Sequence, residues 1–212
     1  MKLKINIIQK NDFSELFKDK IQKAIMKVLE KTEEKLEIPQ LDIIIDNDSN
    51  LAIPETGIGG SSNSNLILIH IDSSFKNIEK DIKIKIQRTF SHEVNHVVRN
   101  LHFPWNDANL LETFITEGLA DHFDIEINGG EPYPWSVALS EDELLNYFEK
   151  ATEEGLFLKD CDYSSWFFGS EEKNIPRWTG YSIGFKLVGN YMKKTGKSAS
   201  ELTNIPAENF IK

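Results

Sequence analysis

Cysteine is almost missing from this sequence: Cys161 stands alone among 212 residues. No internal disulfide can brace the chain, so a reducing compartment is the natural setting. No histidine lies near enough in sequence to serve Cys161 as a base, which marks it as a small core residue. Cationic charge is also short, with 24 Lys and Arg against 34 Asp and Glu and a net charge of −10. Nucleic acids and anionic membranes demand a dense cationic surface, so this balance excludes both as default partners. No apolar run approaches the ~18 residues of a membrane span. The start of the chain alternates Leu3, Ile5 and Ile7 like a strand and lacks the continuous apolar stretch of a signal peptide. Repeats, low-complexity tracts and linker-like breaks are missing too. The expectation is one domain over residues 1–212, located in the cytoplasm, with no obligate partner legible. What remains is ordinary globular material, 40% hydrophobic and 27% charged. A chain of this size buries about 70% of its unfolded surface and needs no staples.

Periodicity then sets the elements. Asp12 and Ser14 are plausible caps for a helix over 14–36, where Leu16, Phe17, Ile21, Ala24, Ile25, Val28 and Leu29 share one face. A strand is expected over 41–46 and a second over 66–71. Between them, residues 47–65 are rich in Asn, Ser, Gly and Pro and read as a long loop, which in a compact domain is often functional. Strand 66–71 is then expected as an exposed edge along a cleft, with His70 at the surface or capping. The clearest helix spans 76–101, with Ile78, Ile82, Ile86, Phe90, Val94, Val97 and Leu101 in one stripe. A second, over 107–127, opens at Asn106 or Asp107 and closes at Gly129-Gly130. Further helices are expected over 141–154, 178–194 and 198–211, with less regular aromatic segments between.

Three weaker patterns reduce to turn chemistry. Asp46-Asn47-Asp48-Ser49-Asn50 starts like a calcium loop, but Leu51 and Gly57 occupy the positions needing glycine and glutamate. Gly57-Ile58-Gly59-Gly60 precedes a strand instead of a helix, and Thr195-Gly196-Lys197-Ser198 lacks the earlier glycine of a phosphate loop.

His92-Glu93-Val94-Asn95-His96 carries the chemistry. Positions i and i+4 stand on one helical face, so both imidazoles can reach one cation. Glu93 is placed to reach a metal-activated water without ligating the metal. Glu117, 21 residues after His96, can complete a His₂Glu set if the turn at Phe103-Pro104-Trp105 folds the second helix back. Asp121, one turn beyond Glu117, can accept from the free nitrogen of a metal histidine.

These residues resemble the gluzincins, in which a glutamate in an ExxxD context about twenty residues downstream is the third zinc ligand. The stretches Ser91–Arg99, Glu117–Asp121, Pro132-Tyr133-Pro134-Trp135 and Ile175–Gly184 are similar to the YjaZ-type family of predicted zinc-dependent proteases. The resemblance covers roughly residues 65–211. It implies an α+β, zincin-like fold, with a small N-terminal sheet packed on the HExxH helix and a mostly helical C-terminal portion. It also implies one Zn²⁺ per chain on His92, His96 and Glu117, a peptide or protein substrate, and Glu93 as general base. For the oxyanion donor, Tyr181 is preferred over His102 and His122, with Arg177 orienting the substrate or Tyr181 itself. The alternatives are a zinc hydrolase of a non-peptide amide or ester and a metal-binding protein without catalysis. Retention of Glu93 argues against the latter, because a structural zinc needs no base.

Overall fold

The computed structural model describes residues 4–7, 15–159 and 162–212, with side chains from residue 17 onward. Cys161 and the caps proposed at Asp12 and Ser14 lie outside the described residues. The architecture is α+β and mostly helical. It divides into two compact units. One takes the chain up to Val98 together with Ile127–Gly129, and the other comprises Arg99–Glu126 and Gly130–Lys212.

The first unit holds a four-stranded sheet in the order β1 (Lys4–Ile7), β2 (Asp42–Asp46), β4 (Leu66–Ile71), β3 (Ile58–Asn63). β1, β2 and β4 run parallel, and β3 is antiparallel to β4. Helix α1 (Glu15–Glu33) provides the crossover that parallel strands require. Register places Ile43 beside Ile67 and Ile45 beside Ile69, all fully buried on one face. The stripe on α2 (Ile78–Asn100) is buried from Ile78 through Val97, whereas Leu101 lies past the helix end and is exposed.

Three expectations are corrected here. Strand 66–71 is no edge: β4 sits between β2 and β3, so its backbone is paired on both sides. The edge is β3, formed by residues assigned to the long loop. Its Gly-Gly-Ser-Ser-Asn composition is turn-like, but pairing with β4 from Ile58↔Ile71 to Asn63↔Leu66 overrides local preference. His70 is not at the surface either; it is buried, with Nδ1 2.8 Å from Asp46 Oδ1. The turn reading does hold at Asp46–Asn50, where Asp46 Oδ1 accepts from the Asp48 amide and Asp48 Oδ1 from that of Asn50.

The second unit packs α3 (Leu110–Asn128, all but its last two residues), α4 (Glu141–Glu154), α5 (Tyr163–Phe168), α6 (Thr179–Thr195) and α7 (Ala199–Leu202). Phe114, Leu119, Phe167, Ile183 and Val188 belong to its core. Trp105–Asp107 form a 3-10 turn, so α3 begins later than expected, with Asn109 Oδ1 accepting from the Glu112 amide. The helix expected over 198–211 is broken into α7 and a 3-10 turn at Ala207–Ile211 by Pro206, which cannot donate to a helix ladder. α3 and α6 cross at backbone contact. A Cβ on Gly184 would lie 1.9 Å from the Phe114 carbonyl oxygen, and one on Gly118 would lie 2.3 Å from that of Gly184. This crossing sets Tyr181, one turn before Gly184, near Glu117, one residue before Gly118.

Candidate functional site

In the first unit, α2 presents His92 and His96 with their Nε2 atoms 3.0 Å apart and their rings at 90°. Two histidine nitrogens on one tetrahedral zinc, each about 2.0–2.1 Å away, stand about 3.3 Å apart, so the pair fits such an ion. Glu93 is 4% exposed, and its buried Oε2 finds no hydrogen-bond partner among the described residues. A buried carboxylate oxygen left this way awaits a donor. Its other wall is β3, where a Cβ on Gly60 would meet Glu93 Oε1 at 2.5 Å and Thr89 Cγ2 at 2.7 Å. Glycine at 60 is therefore a packing requirement of the Glu93 side chain.

In the second unit, α3 buries Glu117 and Asp121 one turn apart. The Tyr163 hydroxyl donates to Glu117 Oε1 at 3.4 Å. Burial, and then the charge of Glu117, push the Tyr181 phenol well above its usual pKa. Asp121 accepts from Ser136 Oγ at 2.6 Å and from Trp135 Nε1 at 3.4 Å. Arg177 is exposed, its guanidinium stacked 4.5 Å over the Trp178 ring. Trp178 takes a left-handed φ of 71°, a strained choice for a bulky residue, at the N-cap of α6. His122 is half-buried and stacked on Phe185, with Nε2 2.9 Å from the Phe185 carbonyl oxygen, and desolvation lowers its pKa. His122 thus holds α3 to α6.

The structure buries Glu117 and Asp121 on α3 and sets Tyr181 close enough to feel the Glu117 charge; sequence reasoning misses Tyr163 and Gly60. Tyr163 rides on α5, whose six residues are too few to show periodicity. Asp162 caps this helix, accepting from the Ser165 amide at 3.1 Å and from Lys173 Nζ at 2.7 Å. The Lys173 hydrogen bond, followed by those from Ser165, lowers the Asp162 pKa from 3.8 to about 2. A depressed carboxylate pKa adds stability above its unfolded value, and this is lost as the pH falls through the folded one. Asp162→Ala should cost about 1 kcal/mol near neutrality, most of it the cap, since the exposed ion pair is screened. The difference in Tm between wild type and variant should shrink between pH 3.8 and about 2. A gap independent of pH would assign the loss to packing.

A helix bearing two facing histidines and a buried glutamate against a mixed sheet narrows the class, and comparison with known proteins agrees. The chain belongs to the family described as "Predicted Zn-dependent protease (DUF2268)", whose profile matches residues 19–212. It is similar to the "Uncharacterized protein YjaZ" of Bacillus subtilis (strain 168), 27% identical over 146 residues. The match covers 66% of this chain and 55% of that relative. No helix among the described residues is long and apolar enough to cross a membrane.

Proposed function

We propose that this chain is a zincin-like hydrolase that cleaves peptide bonds in a peptide or protein substrate, with one zinc held by His92, His96 and Glu117. The observation that carries the reading is the His92–His96 pair, spaced for one ion, beside a buried Glu93 oxygen without a donor. Among the described residues, His92, His96 and Glu117 are side chains of ligating type that can serve as one metal-holding group. The family description supports zinc dependence and proteolysis together.

Bound zinc would supply a Lewis acid and a water made acidic near neutral pH. The chain supplies the rest. Glu93 takes the proton of the attacking water and returns it to the leaving amine. The outer strand β3 lies against Glu93 at Gly60 and offers extended backbone for a substrate to pair with. Tyr181, a protonated phenol at neutral pH, donates to the oxyanion. Asp121 steadies a metal histidine, Arg177 orients the substrate, and the protein works in the cytoplasm.

Purified protein should carry about one zinc per chain by elemental analysis. His92→Ala and Glu117→Ala should each lose most of it while keeping their helical circular dichroism. Wild-type zinc affinity in Glu117→Ala would remove that ligand from the scheme, and a peptide library left uncut by the zinc-loaded protein would remove proteolysis.

A further inference from the structure

Trp105 and Phe168 are 46% and 56% exposed, large apolar rings that a soluble fold ordinarily covers. Both stand edge-on to Tyr163, Trp105 at 5.8 Å and 72° and Phe168 at 5.9 Å and 71°. Tyr163 is stacked flat on the buried Phe167 at 4.3 Å and 16°. It therefore forms a fixed aromatic floor against which two exposed rings are set.

The arrangement is preformed. The Trp105 amide donates to Asn100 Oδ1 at 2.7 Å, which holds the start of the Trp105 turn, and the exposed Lys159 ammonium lies 2.7 Å from Asp107 at its other end. Asp162 caps the helix that carries Tyr163 and Phe168. The polar end of the floor is the Tyr163 hydroxyl, which donates to Glu117.

We propose that Trp105, Tyr163 and Phe168 form the apolar subsite that takes a large aromatic or aliphatic side chain of the substrate; this rests on the hydrolase reading of Glu117. Continuity decides the occupant, because the aromatic floor ends on Glu117 itself, so a peptide held there runs onto the rings. A second copy of the chain is a poorer occupant, since each copy carries a net charge of −10 and like charges repel. Aromatic rings favour an aromatic guest through edge-to-face contact, beyond the area it buries.

The test uses the zinc-loaded full chain and two blocked alanine-serine decapeptides, one with a single central phenylalanine and its twin with alanine there. Wild type should favour the phenylalanine peptide in kcat/KM by about 10–200-fold. The variant Trp105→Ala with Phe168→Ala should lower that ratio about tenfold or more. Both rings are exposed, so the variant should fold; either single substitution provides the same comparison if it does not. A ratio unchanged by the variants overturns the subsite while leaving the hydrolase intact. The same pair of peptides is titrated against Glu93→Gln by calorimetry, with and without the aromatic substitutions. If wild type cuts neither peptide, the hydrolase reading fails, and the binding ratio alone decides the subsite: its loss in the variant supports it, and its persistence overturns it. A dimer in sedimentation that Trp105→Ala dissociates would put a second copy on the rings and also overturn the proposal.

Discussion

Glutamine in place of Glu93 is expected to retain zinc and melting temperature while lowering peptide hydrolysis by about 10²–10⁴-fold. The amide is nearly isosteric with the carboxylate, so the contact with Gly60 is preserved. It cannot accept the water's proton at neutral pH, which confines the loss to the chemical step. The fall should therefore appear in kcat, with KM little moved. Elemental analysis of the same preparation keeps the interpretation clean. Full turnover in the variant would show that another group serves as base.

Arg99→Ala should be strongly destabilising in the second unit. The guanidinium is fully buried, with Nε and Nη2 each 2.7 Å from Glu112 Oε1. Nη1 donates to the Thr203 carbonyl at 2.8 Å and the Ile205 carbonyl at 3.1 Å, tying the C-terminal segment to the end of α2. Burial pulls the Arg99 pKa down and pushes that of Glu112 up, so each charge depends on the other. Removing Arg99 leaves the largely desolvated Glu112 without its counter-charge, at about 3–5 kcal/mol. In urea the midpoint should fall accordingly. Arg99→Met with Glu112→Leu should cost less than the sum of the two single variants, because neither charge is then stranded. Additive losses would assign the effect to packing alone.

Legibility followed the range of the interaction. α2 could be read outright, since every turn repeats an isoleucine, phenylalanine or valine on one face. Glu117 and Asp121 could be read as a pair for the same reason. β3 could not, because Gly59, Gly60 and Ser61 prefer turns and only pairing with β4 makes them a strand. β4 takes an edge position from the sequence for the same reason: beside a stretch that reads as loop it has no partner, and only β3 supplies one. Tyr163 shows the same limit. Its aromatic neighbours are plain in the sequence, but its tie to Glu117 joins residues 46 apart. Arg99 looks like an ordinary helix-terminal cation until the backbone of Thr203 and Ile205 is folded over it.

The contact between Gly60 and Glu93 bears on reaction entropy. A glutamate side chain free in solution samples many rotamers, and fixing it costs up to about 2 kcal/mol. Here Glu93 lies in a space where even a methyl group on residue 60 would come within 2.5 Å of its oxygen. Its rotamers are thus thinned out when the chain folds, before any substrate arrives. In the proposed mechanism, a base immobilised at that stage would not have to be ordered again in each catalytic cycle. Enlarging residue 60 would displace the carboxylate, while opening space around it would return that disorder to the activation step.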